Sequence, residues 1–300
     1  MTRTEHQFVA MGGPCRLRLD HADDGTVQQA IVAAEAEVSR LEQKYSRYLP
    51  DSLTSQINHR AGTGEAIAID PETAGLLKYA DTLWRESGEM FDLTAGILRR
   101  AWDFKSGAVP DQCELDKLLP LIGWSMVAWD QQTVRLQLNG MELDFGGCVK
   151  EYACDSVAGI LKQQGIHHAL VDLAGDMVAT GPQYDGKPWP IGIRHPDRKT
   201  QAVAEIALAD GGLASSGNYE RCLQIGDKRY GHILNPKTGW PTTGPVAVTV
   251  LADQCLVAGS AATVAMLKPL PEALAWLEQL GLPWLAIDAQ LQCHGRITER

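Results

Sequence analysis

The sequence predicts an α+β fold. Helix-like and strand-like segments come in mixed order, without the steady β-α-β alternation of a doubly wound sheet. The first third carries two well-punctuated amphipathic helices, whereas the second half is mostly short strand-like runs. With 300 residues and a hydrophobic fraction of 45%, the chain is large enough to bury a sizeable core. No internal repeat, low-complexity tract or linker divides it, so residues 1–300 are read as one domain.

Residues 7–20 read as a first strand broken by a turn at Gly12-Gly13-Pro14. Val27, Ile31, Ala34, Val38, Leu41 and Tyr45 recur every three or four residues and form one apolar helical stripe, which Leu49-Pro50-Asp51 ends. Asp70 as N-cap and Pro71 at the first helical position announce a second helix. It continues through Leu76, Ala80, Leu83 and Trp84 to about Gly88. Residues 133–145 alternate around Asn139-Gly140, which predicts a hairpin. A helix over 150–164 ends at Gly165, and one strand is expected over 168–180. Further strands fall at 203–209, 221–225, 229–234 and 245–252. A helix over 257–268, another from Pro271 to Gly281, and a strand at 284–288 complete the reading.

Composition narrows the function. The net charge is −10 and the pI about 5.3, with no Lys/Arg cluster, so nucleic acid is not an expected partner. Any anionic ligand must be held by local donors. No apolar run approaches the roughly 20 residues that span a bilayer, so no membrane insertion is expected. The N-terminus lacks a signal-peptide pattern. The seven cysteines lack a C-x-x-C pair and read as reduced thiols of a cytoplasmic protein rather than structural zinc ligands.

Four segments carry chemistry. Leu143-Asp144-Phe145-Gly146-Gly147-Cys148-Val149-Lys150 runs from a strand through two glycines into a helix. Such a start offers N–H groups to an anion, and Lys150 adds a charge. The alternative is an ordinary turn with a surface lysine. On Leu170-Val171-Asp172-Leu173-Ala174-Gly175-Asp176, Asp172 and Asp176 lie two positions either side of Ala174. On one strand they would share a face, either to bind ligand hydroxyls or to cap loops. Ala214-Ser215-Ser216-Gly217-Asn218-Tyr219-Glu220-Arg221 gathers hydroxyls, an amide, a ring and a cation. This suits a ligand with phosphates and a ring system, or a polar hairpin turn. His232-Ile233-Leu234-Asn235-Pro236-Lys237-Thr238-Gly239 sets a histidine before a punctuated turn, as an acid/base or phosphate donor or as a structural residue.

Together, in this order, the four segments resemble the signature of the ApbE family of FAD:protein FMN transferases. Weaker matches extend the resemblance over about residues 8–268. They include Met11-Gly12, Ser52-x-x-Ser55-x-Ile57-Asn58, Gly88-x-x-Phe91-Asp92-x-Thr94-Ala95-Gly96 and Trp189-x-Ile191-Gly192-Ile193. The resemblance implies a T-fold-like α+β protein that binds FAD. It also implies cleavage of the FAD pyrophosphate with Mg²⁺ and transfer of FMN to a Thr or Ser of a flavin-accepting protein. The residues it assigns to the flavin nucleotide are Met11, Tyr48, Asp92, Thr94, Gly146, Gly147, Lys150, Asp172, Asp176, Ser216, Gly217, Tyr219, His232 and Ile233. Lys150 and His232 are its catalytic candidates; the Val149 carbonyl and Thr263 are its metal ligands.

The sequence also departs from that pattern. In Ala258-Gly259-Ser260-Ala261-Ala262-Thr263, Gly259 stands where the family pattern has a metal-binding Asp. Its absence is expected to weaken Mg²⁺ binding. Glu151 replaces a glycine beside the phosphate cradle, Ala174 replaces a glycine, and Asn218 and Asn235 each replace an aspartate. These changes leave a non-catalytic FAD carrier or sensor, and an FAD pyrophosphatase, as alternatives to the transferase.

Overall fold

The computed structural model describes residues 2–104, 107–198, 201–219, 221–226 and 228–297. The chain opens with a hairpin of β1 (Thr2–Ala10) and β2 (Gly13–His21). Helix α1 (Asp24–Tyr45) is capped by Asp23, whose side chain accepts from the Thr26 N–H, and it buries the stripe that the spacing predicts. A short helix α2 (Leu53–His59), capped by Ser52, and a short strand β3 (Ile67–Ala68) follow. Helix α3 (Pro71–Glu86) begins as predicted, with Asp70 accepting from the Thr73 N–H. A 3₁₀ helix over Leu93–Arg100, capped by Asp92, leads to α4 (Gln112–Leu118) and the strands β4 (Val127–Trp129) and β5 (Thr133–Leu136).

The hairpin expected across 133–145 does not form. Strand β5 pairs with β3 on one side and β4 on the other, so both of its edges are occupied. Leu143 instead exchanges backbone hydrogen bonds with the Asn58 side chain, at 2.7 and 3.0 Å. The alternation of Met141, Leu143 and Phe145 records burial in the core, not strand pairing.

Helix α5 (Val149–Gln163) is followed by β6 (Ala169–Leu173) and β7 (Asp176–Ala179). The single strand expected over 168–180 is therefore two, folded on a two-residue turn with positive φ at Ala174 (55°) and Gly175 (99°). Positive φ at both central residues matches the twist of a tight hairpin. Next come β8 (Trp189–Arg194), β9 (Ala202–Leu208), β10 (Gly211–Gly217), β11 (Cys222–Ile225), β12 (Lys228–Gly231) and β13 (Ala247–Ala252). The chain closes with α6 (Cys255–Leu267), α7 (Leu270–Leu280), β14 (Trp284–Ile287) and β15 (Cys293–Gly295).

Eight strands form one antiparallel sheet in the order β1-β2-β6-β7-β10-β13-β14-β15. The helices α1, α5 and α6 cover one face around the largest core, which includes Leu17, Val171, Val248 and Ala262. The β8–β9 hairpin covers the other face through Trp189, Ile191 and Ile206 against Leu170, Ala179 and Leu213. A third cluster, of Leu98, Trp102, Leu115 and Leu223, anchors the loops at one end. Among the described residues no helix is long and apolar enough to cross a membrane.

The start of α6 depends on α5. The α6 N-cap residue, Gln254, makes no side-chain cap. Asp155 on α5 supplies it instead, accepting the N–H groups of Cys255 and Leu256 at 2.8 and 2.9 Å. Burial raises the Asp155 carboxyl, and these two bonds oppose that shift. We expect Asp155→Ala to cost about 1–3 kcal/mol in urea denaturation, with Asp155→Asn recovering part of the loss. A change within about 0.5 kcal/mol for the alanine variant contradicts the capping role.

Candidate functional site

The site is built where the start of α5 meets β7, β10 and α6. The approach to α5 is held by Arg47, whose Nη1 donates to the Gly96 carbonyl (2.6 Å) and to Asp144 Oδ2 (3.2 Å) and whose guanidinium also pairs with Glu142. Asp144 Oδ1 in turn accepts the Gly146 N–H at 2.8 Å. The Phe145 carbonyl takes the N–H groups of Cys148 and Val149, each at 3.0 Å. The ring of Phe91 lies against Gly147. No side chain caps α5 at its N-cap residue, Cys148.

One turn in, Lys150 Nζ stands 2.6 Å from Asp176 Oδ2, with the carboxylate side chain 3% exposed and the lysine 30%. Burial alone would lower the lysine, but the charges of Asp176 and Glu151 outweigh it and hold the ammonium above its usual range. Burial raises Asp176, against the pull of Lys150 and of the Ser215 backbone N–H. Glu151 faces inward, not toward an anion at the helix start. Burial first, then the Asp176 charge, push its carboxyl up to about 8. Its Oε2 has no hydrogen-bond partner among the described residues.

The opposite wall comes from β10, α6 and the β12 exit. Ser216 Oγ and Thr263 Oγ1 are 3.0 Å apart, which joins β10 to α6. The ring of Tyr219 lies against Gly217, where a Cβ would stand 2.5 Å from Cε1. Asn218 Oδ1 accepts the Ile233 N–H at 3.1 Å and so fixes the loop after β12. Its amide oxygen is the accepting atom, so an aspartate is not required there. Asn235 does the same for the Lys237 N–H at 2.8 Å. His232 follows β12, with Nδ1 buried and without a hydrogen-bond partner among the described residues. Burial lowers its pKa to about 4, and the charges of Arg99, Arg221 and Lys150 add to the shift. The imidazole is neutral near pH 7, in a locally cationic corner of an acidic chain.

The structure thus brings Gly146, Gly147, Val149, Lys150, Asp176, Ser216 and Thr263 onto adjoining elements around α5, with His232 in electrostatic range of Lys150. It separates Asp172 from them. In the β6–β7 register Leu173 faces Asp176 and Asp172 faces Met177, so the two aspartates lie on opposite faces of the sheet. Asp172 instead lines a crevice of about 210 Å³ under β8 with Arg16, Arg18 and Ile191. The shared face expected from sequence fails because the Ala174-Gly175 turn reverses the chain between them.

Asp92 and Thr94 are engaged within the protein. Asp92 Oδ1 accepts from the Thr94 N–H and hydroxyl (2.7 and 2.6 Å), and Oδ2 from the Trp124 N–H (2.9 Å). Thr94 Oγ1 accepts the Gly123 N–H at 2.8 Å. They brace the 3₁₀ helix that carries Arg99. Met11, at φ 50°, occupies the β1–β2 turn, and its N–H donates to Glu42 Oε1 at 2.8 Å. Tyr48 is 76% exposed, with the Arg47 guanidinium 5.9 Å from its ring. Asp253 is exposed in the β13–α6 turn, and Glu220 lies outside the described residues. Arg99 was not anticipated, since one exposed arginine in a helical turn leaves no sequence signal. Among the described residues no group of three or more His, Cys, Asp or Glu is placed to hold a metal ion.

A family model described as the ApbE family matches residues 11–285.

The chain belongs to the ApbE family.

A relative named FAD:protein FMN transferase from Vibrio cholerae is 30% identical over 272 residues, covering 89% of this chain and 80% of that one. A protein of the same name from Treponema pallidum is 28% identical over 317 residues, covering 97% and 87%. Among solved structures, the ApbE protein of Thermotoga maritima superposes with a TM-score of 0.89 at 26% identity, covering 98% of this chain and 97% of that one. The flavin transferase ApbE of V. cholerae does so with a TM-score of 0.86 at 25% identity, covering 99% and 98%. The T-fold-like α+β architecture implied by the ApbE resemblance is thus the architecture of this chain.

The neutral His232 makes a pH prediction. Its folded pKa of about 4 lies below the ordinary 6.5, so the unfolded chain binds the proton more readily. Stability is full above pH 6.5 and falls as pH drops toward 4. Relative to wild type, His232→Gln should lack a loss on the order of 2–3 kcal/mol between pH 7 and pH 4 in urea denaturation. Parallel curves for the two proteins contradict a buried, neutral histidine.

Proposed function

We propose that this chain is an FAD:protein FMN transferase. The hydroxyl oxygen of a Thr or Ser on a flavin-accepting protein attacks the FMN phosphorus of FAD. A new P–O bond forms, the anhydride P–O bond breaks with its electron pair going to the leaving AMP, and the hydroxyl proton passes to solvent. The observation that carries this reading is the Lys150 ammonium, fixed by Asp176 at 2.6 Å at a helix start without a side-chain cap. A fixed cation at the positive end of a helix dipole is a ready phosphate site. Stabilising charge that builds on phosphate oxygens is the main catalytic demand of phosphoryl transfer.

In this reading Gly146 and Gly147 let the pyrophosphate approach the backbone, and Lys150 neutralises it. Ser216 and Tyr219 contribute a hydroxyl and a ring to the nucleotide. Ile233 is held in place by Asn218. His232, neutral near pH 7, offers a ring nitrogen to a phosphate oxygen or a transferring proton, and Arg99 adds charge that its sequence position does not announce. Asp92 and Thr94 act by bracing the Arg99 turn, and Asp172 drops out of the site. The site is rich in oxygen donors, which suits Mg²⁺. When bound, this ion supplies charge neutralisation on the phosphates, and the Val149 carbonyl and the Thr263 hydroxyl are assigned to hold it. A cytoplasmic setting is part of the proposal and is supported by cysteines that form no disulfide among the described residues.

The test is incubation with FAD, Mg²⁺ and a peptide from a flavin-accepting protein, with AMP followed by chromatography and the peptide by mass spectrometry. The expected result is equimolar AMP and FMN-labelled peptide. Lys150→Met should slow turnover by about 10²–10³-fold. AMP without a peptide mass gain assigns a pyrophosphatase instead, and tight FAD binding with neither product assigns a carrier.

A further inference from the structure

Glu151 and Gly259 are each unusual alone, and in the structure they are in contact. A Cβ placed on Gly259 would stand 2.5 Å from Glu151 Cγ, 2.8 Å from Oε1 and 3.0 Å from Cδ. The Glu151 side chain therefore lies across α6 in the volume where any side chain at position 259 would emerge. A side chain at position 259 would have to displace the carboxylate arm from α5, which already fills the space. Thr263, one turn further along α6, points from the same helical face and meets Ser216 at 3.0 Å. The Lys150–Asp176 pair lies alongside.

The glutamate is more than nine-tenths buried, at 8% exposure. Its Oε2 has no hydrogen-bond partner among the described residues. A buried carboxylate oxygen left unmatched costs free energy that a fold does not retain without compensation. A divalent cation that displaces the carboxyl proton on binding matches the charge this exposes and the free lone pairs. The Ser216 and Thr263 hydroxyls meet one turn along α6, Asp176 and Lys150 act on Glu151 through their charges, and among the described residues no group of three or more His, Cys, Asp or Glu is placed to hold a metal ion. One carboxylate plus neutral oxygens suits a hard divalent ion that also takes phosphate oxygens and water.

We propose that Glu151 is the carboxylate ligand of a divalent cation at this site, delivering from α5 the negative oxygen that α6 cannot supply at Gly259. The cation lies between the two helices, beside the Thr263 hydroxyl and the Val149 carbonyl. The loss at 259 and the gain at 151 are then one exchange rather than two defects. The inference rests on the flavin reading above only for the phosphate oxygens that complete the shell.

Mn²⁺ serves as the probe, because its free ion is read directly by electron paramagnetic resonance. The full chain is titrated with Mn²⁺ alone and again with FAD present. FAD binding is measured separately by fluorescence quenching, and folding of each variant by thermal melting. Glu151→Gln should weaken Mn²⁺ binding at least about tenfold while FAD still binds. Gly259→Asp alone should gain no affinity, because its Cβ collides with Glu151. Glu151→Gly combined with Gly259→Asp should return Mn²⁺ affinity to within about threefold of wild type, a fraction of the roughly tenfold that 1.4 kcal/mol represents. Equal Mn²⁺ affinity in wild type and Glu151→Gln overturns the assignment, as does a folded double variant that stays weak. Failure of the wild type to bind FAD, with Mn²⁺ binding still dependent on Glu151, overturns the flavin reading and leaves the ligand assignment standing.

Discussion

The Lys150–Asp176 ion pair is the constraint on which the rest of the site depends. It joins the first turn of α5 to the first residue of β7, and the Ser215 backbone N–H ties the same carboxylate to β10. A nearly buried carboxylate needs a partner, and removing either charge strands the other at a cost of several kcal/mol. The lysine is the more exposed of the two, so its ammonium is anchored from below and presented outward. A chain of net charge −10 would repel phosphates at long range. It compensates locally by grouping Lys150, Arg99 and Arg221 around a histidine kept neutral by burial.

Much of the fold was legible because local chemistry and tertiary structure agree. Asp70-Pro71 starts α3, and the stripe of α1 is buried as spaced. Gly281 closes α7 in the left-handed conformation. The failures have particular causes. Strand periodicity at 133–145 was real, but Asn58 took the backbone groups that a partner strand would have used. The Ala174-Gly175 turn was hidden because alanine pays to sit at positive φ and so gives no turn signal. Missing that turn put Asp172 on the wrong face. Strand β10 was passed over because Gly, Ala and Ser lack the bulk of a usual strand, although it runs through the centre of the sheet.

The site was legible in its motifs and less so in its roles. The aspartate that ends Lys150-Glu151-Tyr152-Ala153-Cys154-Asp155 is a cap for another helix. Asp92 and Thr94 staple two loops together. Both uses require a fold in which distant segments meet, and neither appears in spacing along the chain. Glu151 shows the same limit from the other side: a charge that looks misplaced beside an anion cradle is turned inward against Gly259. The asparagines at 218 and 235 look like lost acids, yet each needs only a carbonyl oxygen to accept one N–H.

The bare beginning of α5 has a thermodynamic meaning beyond recognition. Asp23, Ser52, Asp70 and Asp111 each close the helix that follows them with their own side chain, whereas Cys148 supplies no side-chain cap and only the Phe145 carbonyl reaches the first N–H groups. An anion docked there would do the work of the missing cap. Association and folding are then linked, and occupancy at a hundred times the dissociation constant would be worth about 2.7 kcal/mol to the native state. Nucleotide supply would in this way set the protein's lifetime against heat and proteolysis as well as its turnover.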